Sequence, residues 1–195
     1  MSNNINIHGK RVVLRSLMIS DTSTLLNWRN NKTFREFCST RRNIVTEEDF
    51  FIELQNDFAN DKHLLYLIEK KSNNIPIGTI FSYRYNPTDG HLYISMFLDD
   101  GYRKSVYGAE SFSIFILYLF ISLELFKIYT EVYSSNTQVI RALLAGGFEI
   151  EGRLIGHRVN SLGVRVDLVI MSFKRQKLDW LKDRVSVLTD DLLCI

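Results

Sequence analysis

The run Leu98-Asp99-Asp100-Gly101-Tyr102-Arg103-Lys104-Ser105-Val106-Tyr107-Gly108-Ala109-Glu110 gathers residue types that could do chemistry. An apolar strand ends there, a short loop supplies two cations, and an apolar helix begins. The first turn of a helix has unpaired N–H groups and the positive end of the helix dipole. Phosphate oxygens bind well at such a terminus. Arg103 and Lys104 add positive charge, and Gly108 lets a ligand come close to the backbone. The segment reads either as a pyrophosphate site or as a surface loop ahead of a core helix. Asp99 and Asp100 adjoin it, a position where a turn role is the commoner one. His91 and His157 are the titratable candidates for proton transfer, and each could equally be a non-catalytic histidine. No Ser/His/Asp order or Cys/His pair points to covalent catalysis.

These residues need elements to place them. Residues 11–15 read as a first strand. Ser20 or Asp21 caps a helix to about Asn30, with Leu25, Leu26 and Trp28 toward a core. Thr46 with Asp49 resembles a capping box, and Phe50, Phe51, Leu54 and Phe58 follow at helical spacing, which predicts a helix over 47–59. Strands are predicted over 64–69, 77–85 and 91–98, with turns at Asn73-Asn74 and Pro87-Thr88-Asp89-Gly90. The apolar segment 107–125 suits a buried helix, being too long for one ordinary strand. A strand over 127–133 and a helix over 137–145, stopped by Gly146-Gly147, come next. Residues 148–159 and 164–173 form a closing hairpin around Asn160-Ser161-Leu162-Gly163. The tail from 174 is charged and helical as far as Arg184. This order describes a mixed α/β (α+β) domain with mainly antiparallel pairing and a crossover helix.

Composition bounds the function. The chain has 195 residues, 46% hydrophobic and 24% charged, with a net charge of +2. That suits one soluble globular domain and argues against nucleic acid as a partner. The small basic clusters Arg11 with Arg15 and Arg41-Arg42 are read as solvated faces. Cys38 and Cys194 are too few for a disulfide framework or a metal site, and are read as reduced thiols of a cytoplasmic protein. The apolar run 112–123 is too short to span a bilayer, so no membrane partner is expected.

Four matches carry a resemblance to a known family. Arg103-Lys104-Ser105-Val106-Tyr107-Gly108 resembles the Arg/Gln-x-x-Gly-x-Gly/Ala loop with which GNAT acyltransferases hold the CoA pyrophosphate, with Val106 in place of the usual first glycine. Asn136, Arg141 and Gly147-Phe148 are similar, at the same spacing, to the family's Asn-x-x-Ser…Gly-Phe segment. Glu149 to Ser172, with Glu151-Gly152-Arg153, Asn160, Gly163 and Asp167, is similar to the closing hairpin of the RimJ/RimL-like branch. So is the pairing of Leu14-Arg15 with a helix ending Trp28-Arg29-Asn30. The resemblance spans about residues 9–173, leaving 174–195 as a tail of a single domain over 1–195.

The resemblance implies a GNAT fold: a mixed, largely antiparallel sheet, helices on both faces, and two central strands splayed around the acyl-CoA. Strand 91–98 would be one side of the splay and 127–133 the other. Phe97, Leu98 and Asp99 would lie along the pantetheine, with the Leu98 backbone N–H aimed at the thioester oxygen, a preplaced dipole of the kind that dominates in acyl transfer. Arg103, Lys104, Ser105, Val106, Tyr107, Gly108 and Ala109 would surround the diphosphate, mostly through backbone N–H groups. Asn136 would reach the CoA arm. Arg141 would meet the adenosine phosphate or simply face solvent. The family's usual tyrosine acid falls at Leu143, so that acid is missing. A β-branched residue at 106 resists positive φ, which would alter the loop.

The donor implied is acetyl-CoA or another short acyl-CoA, with no metal, and the acceptor a small-molecule amine. Candidates for the acceptor pocket are Trp28, Arg29, Asn30, Phe34, Tyr83, Tyr85 and His157. Trp28-Arg29-Asn30 resembles members acting on amino sugars, some nucleotide-linked, although Trp28 could be core and Arg29 a tie to a carboxylate. Protein N-terminal amines, polyamines and antibiotics are the other acceptors, and a non-catalytic CoA-binding module is the other class. A homodimer is expected from the family's habit.

Overall fold

The computed structural model describes residues 6–37, 43–59, 64–160 and 162–186. Cys38, Arg41, Arg42, Ser161 and Cys194 therefore lie outside the described residues. The elements are β1 (Ile7–His8), β2 (Val12–Ser16), α1 (Thr22–Asn30), α2 (Lys32–Phe37), α3 (Glu47–Ala59), β3 (Leu64–Lys70), β4 (Ile75–Asn86) and β5 (His91–Leu98). There follow α4 (Val106–Ser122), β6 (Lys127–Tyr133), α5 (Thr137–Ala145), β7 (Glu149–Val159), β8 (Arg165–Lys174) and α6 (Leu178–Ser186).

The strands form one eight-stranded sheet in the order β1-β2-β3-β4-β5-β6-β8-β7. Every pairing is antiparallel except that of β5 with β6. A parallel pair needs a long crossover, and α4 supplies it. Side chains alternate between the two faces of a strand. One face sends Leu92, Ile94 and Leu98 of β5 and Ile128 and Val132 of β6 into the larger core, shared with α4, α5 and α6. The opposite face sends Leu67 of β3 and Phe97 of β5 against Leu25 and Trp28 of α1, Val45, and Phe50 of α3. Helices thus cover both faces, as the resemblance implied. The 17-residue α4 is apolar because it is buried on nearly all sides. Among the described residues no helix is long and apolar enough to cross a membrane.

Buried charges fasten the helices to the sheet. Glu110 in α4 is fully buried and accepts hydrogen bonds from the N–H groups of Arg11 (2.6 Å) and Val12 (3.3 Å) and from Arg11 Nη1 (3.1 Å). Arg15 on β2 donates to both Asp21 oxygens, at 2.8 and 2.9 Å, and to Glu69 on β3 at 2.6 Å. Arg175 closes the other end of α4 by donating to the carbonyls of Phe120, Leu123 and Leu125.

Two elements have no counterpart in the sequence reading: the two-residue β1 and the short α2. Both are too short for a periodic pattern to register. The large helix starts at Val106 and ends at Ser122, a turn earlier than its apolar run, because Leu123 and Leu125 leave the helix and pack into the core. Asn74 takes a positive φ of 55° in the turn expected there.

Candidate functional site

The site begins where the sheet comes apart. β5 and β6 pair only at His91–Lys127, Leu92–Ile128 and Tyr93–Tyr129. Beyond these, β5 stays with β4 as far as Leu98, while β6 stays with β8 as far as Tyr133. Residues 94–98 and 130–133 thus flank an opening within the sheet.

The hydrogen-bond alternation decides which groups face that opening. Asp99 N–H donates to Ile77 O at 2.9 Å, so 77 and 99 form a hydrogen-bonded pair. Gly78 and Leu98 are the next pair along. In an antiparallel ladder such a pair is the non-bonded one. The N–H and C=O of Leu98 therefore turn away from β4, toward the β6 side where pairing has lapsed. A Cβ built on Gly78 would stand 2.2 Å from Phe97 O, so only glycine admits β5 this close.

The chain then turns through Asp100–Tyr102 into α4. Ser105 is the N-cap but makes no side-chain cap; its Oγ donates back to Tyr102 O at 2.5 Å. No acidic residue lies in the first turn. Arg103 and Lys104 are exposed beside it, and Arg103 is loosely paired with Asp100 at 3.6 Å. Positive φ at non-glycine positions occurs at Asn74 and Arg84 among the described residues. Val106 therefore does not need the conformation it resists, and it opens α4 with its side chain largely exposed. Gly108 has a reason inside the protein: a Cβ there would lie 2.8 Å from Leu98 Cδ1.

On the opposite face, α1 and α2 roof the opening. Trp28 Nε1 donates to Asp99 Oδ2 at 3.1 Å and Asn31 Nδ2 to Asp100 Oδ2 at 3.2 Å, tying the loop down. Phe34 lies edge-on to Phe97 of β5, 5.1 Å between centroids. Phe37 lies edge-on to Tyr133 of β6 at 6.1 Å. The two ends of α2 thus reach opposite sides of the split.

Next to this roof the same face carries a half-exposed aromatic row. Tyr83 of β4 lies 5.5 Å from Tyr93 of β5, and Tyr93 stacks on Tyr129 of β6 at 5.0 Å and 22°. The Arg84 guanidinium sits 5.5 Å from the Tyr83 ring and 5.4 Å from that of Tyr93. It reaches over β5 to Glu131 Oε1 at 2.9 Å, and Arg158 from β7 approaches Glu131 Oε2 at 3.8 Å. Burial raises the Tyr83 phenol pKa, Glu131 adds to the rise, and Arg84 opposes it. Tyr93 is shifted upward chiefly by burial as well. Both therefore remain O–H donors near neutral pH.

The predicted residues fall into groups. Phe97, Leu98, Asp99, Ser105 to Ala109 and Asn136 lie along the split or at its exits. The Asn136 carboxamide makes no cap for α5 although the residue stands at its N-cap. Arg141 is exposed and folds back on Thr137 of its own helix. Arg29 is buried and bidentate to Glu53, at 2.8 and 3.0 Å, and donates to Asn43 O. The Asn30 carboxamide donates to Val45 O and accepts from Val45 N–H. Arg29 and Asn30 therefore spend their polar atoms inside the protein, and Trp28 supports Phe97 at 5.8 Å. Tyr83 joins the aromatic row, whereas Tyr85 packs at the edge of the larger core. His91 is misplaced for proton transfer beside Leu98. It opens the closed end of the β5–β6 pair, seven residues before Leu98, or about 23 Å of extended strand. One side chain cannot bridge that length, so His91 and the Leu98 N–H cannot serve one reacting centre. His157 is exposed on β7, the outermost strand. Tyr93, Tyr129, Glu131, Arg84 and Arg158 escaped the sequence reading. The alternating aromatics of Tyr83-Arg84-Tyr85 and the strand run Tyr129-Thr130-Glu131 were the available signal, but only strand register places them together.

An opened parallel pair, an N–H facing the gap and an uncapped helix start beside it could together hold an extended ligand that ends in phosphates. A sequence profile of the acetyltransferase (GNAT) domain matches residues 11–149. The chain belongs to the GNAT acetyltransferase family, and it is an acyl-CoA-dependent N-acetyltransferase. No functionally curated protein matches the sequence. Among solved structures, the spermidine N-acetyltransferase from Vibrio cholerae in complex with CoA and spermine superposes with a TM-score of 0.78 at 18% identity, over 86% of this chain and 98% of that one. A GNAT-family acetyltransferase from Bacillus anthracis gives 0.73 at 16% identity, over 88% and 99%. At these identities the likeness is one of fold.

Proposed function

We propose that this enzyme moves an acetyl or other short acyl group from acyl-CoA to the primary amine of an amino sugar, one that can be nucleotide-linked. The observation that carries the donor side is the lapse of β5–β6 pairing after Tyr93 and Tyr129, with the Leu98 N–H turned into the gap. The residues present fit a CoA thioester. Leu98 offers a hydrogen bond to the acyl oxygen, Val106, Tyr107 and Gly108 offer the unpaired N–H groups of the first turn, and Arg103 and Lys104 supply charge. The thioester supplies the acyl group; the protein orients it and stabilises negative charge on its oxygen. No covalent intermediate on the enzyme is needed, so the amine attacks directly in a ternary complex, and it must be neutral to do so.

For the acceptor, the half-exposed row Tyr83, Tyr93 and Tyr129 offers flat apolar faces with hydroxyl donors, which suit a sugar or a base. The row lies on the face roofed by α2, beside the split. Polyamines and protein N-terminal amines are the competing acceptors. We place the enzyme in the cytoplasm.

A thermal-shift series tests the donor half, with acetyl-CoA first and longer acyl-CoAs next. A ligand at 100 times its Kd adds about 2.7 kcal/mol. A clear shift is expected, and its absence refutes the assignment. CoA release in the presence of amino sugars, nucleotide-linked amino sugars, spermidine and a peptide then ranks the acceptors, and it separates an enzyme from a CoA-binding module.

A further inference from the structure

Two arginines converge on one carboxylate, and each follows an irregularity in its strand. Regular alternation would turn Arg84 to the face opposite Tyr83. Instead Arg84 takes a φ of 51°, and the β4–β5 register shifts between Tyr83 and Asn86. This bulge brings Arg84 back over Tyr83 and Tyr93 to Glu131. A left-handed conformation at a non-glycine residue is strained. Bulges of this kind re-aim side chains beside functional sites. On the other side of Glu131, the β7–β8 register shifts between Leu154 and Arg158, around Gly156 with φ of 58°. Arg158 follows that shift and crosses β8 toward Glu131.

The charges do not cancel. Glu131 is one anion between two cations, and its side chain is 15% exposed. Arg84 is 59% exposed and bonded through one nitrogen, while Arg158 stays at 3.8 Å, beyond a hydrogen bond. Lys127 is already matched by Glu151 at 2.9 Å. The cluster thus presents one uncompensated positive charge, with free guanidinium donors, above the tyrosine row. Glu131 lies two residues past Tyr129, the last residue of β6 paired with β5. The charge therefore stands at the mouth of the split.

We propose that Arg84 and Arg158 form an anion subsite of the acceptor pocket, and that the acceptor is an amine that also carries a phosphate group. The inference rests on the acyltransferase reading for the position of the acceptor. Guanidinium groups match phosphate oxygens in a planar fork, and the tyrosines below hold the ring to which the phosphate is joined. The cluster repels a polycation such as spermidine.

Titration calorimetry on the full chain tests this, using glucosamine, glucosamine 1-phosphate, a uridine-diphosphate-linked amino sugar and spermidine. Acetyl-CoA binding is recorded on the same samples. The phosphorylated amines are expected to bind at least tenfold more tightly than glucosamine. Arg84→Gln and Arg158→Gln should each remove most of that advantage, with melting curves confirming that the variants fold. Glu131→Gln should widen it, because both arginines are then released; if they merely neutralised Glu131, this variant would bring no gain. Equal affinity for plain and phosphorylated amines, tighter binding of spermidine, or an advantage that survives in both arginine variants overturns the subsite. Absence of any phosphate advantage in the parent enzyme, with acetyl-CoA binding intact, condemns the subsite alone. A phosphate advantage without acetyl-CoA binding supports the subsite and condemns the acyl-transfer reading.

Discussion

Gly108 in the first turn of α4 abuts Leu98 at the end of β5: a Cβ on the glycine would come within 2.8 Å of Leu98 Cδ1. The helix start proposed for the diphosphate and the strand end proposed for the thioester are thus in direct contact. Gly78 presses on the same strand from β4, where a Cβ would lie 2.2 Å from Phe97 O. Two glycines therefore set the position of one backbone N–H.

The two glycines should respond differently to alanine. The obstacle at Gly108 is the end of a leucine side chain, which can rotate. Alanine also favours the helix by up to about 1 kcal/mol. Gly108→Ala should leave thermal stability within about 1 kcal/mol of the parent. Gly108→Trp should abolish the acetyl-CoA-induced shift, and a retained shift would remove the loop from the donor site.

At Gly78 the obstacle is a backbone oxygen, which moves only with the whole strand. Gly78→Ala should cost about 1–3 kcal/mol, as overpacked sites do. It should also weaken acetyl-CoA binding by displacing Leu98. Chemical denaturation alongside calorimetry checks both effects. An unchanged midpoint would mean β4 and β5 tolerate the extra carbon.

Glu110→Ala should destabilise the fold by about 2–4 kcal/mol. It strips the acceptor from the Arg11 and Val12 N–H groups while α4 and β2 stay packed together. Urea denaturation reads this directly. Glu110→Gln should recover part of the loss, because its carbonyl still accepts.

Acid sensitivity should centre on Asp21. The Arg15 hydrogen bonds hold its carboxyl below the usual value of 3.8, and the Met18 N–H helps. A carboxyl with a lowered folded pKa contributes stability that is complete above its unfolded pKa and is lost as pH falls through the folded one. Stability should therefore be flat in this respect above about pH 5 and decline below about pH 4. Asp21→Asn should lower stability at neutral pH and flatten that decline, measured as urea midpoints from pH 7 to pH 2. An identical acid slope in the variant would assign the effect to other carboxylates.

The sequence by itself determined the local order and the family. The capping signal at Thr46, the turn residues, the apolar run of α4 and the stop at Gly146-Gly147 are local, so 3.6-residue and 2-residue periods expose them. The spacing of the matched segments between about residues 9 and 173 carried the resemblance. Tertiary structure alone decided what those residues do for one another. Trp28, Arg29 and Asn30 look like a motif in one dimension, yet burial assigns them to Asp99, Glu53 and Val45, each more than ten residues away. His91 and Leu98 share a strand, yet strand length separates them. Tyr83, Tyr93, Tyr129, Arg84, Arg158 and Glu131 come from four strands, and pairing register together with two bulges makes them neighbours. Register is a property of the whole sheet, because a one-residue slip exchanges the two faces of a strand.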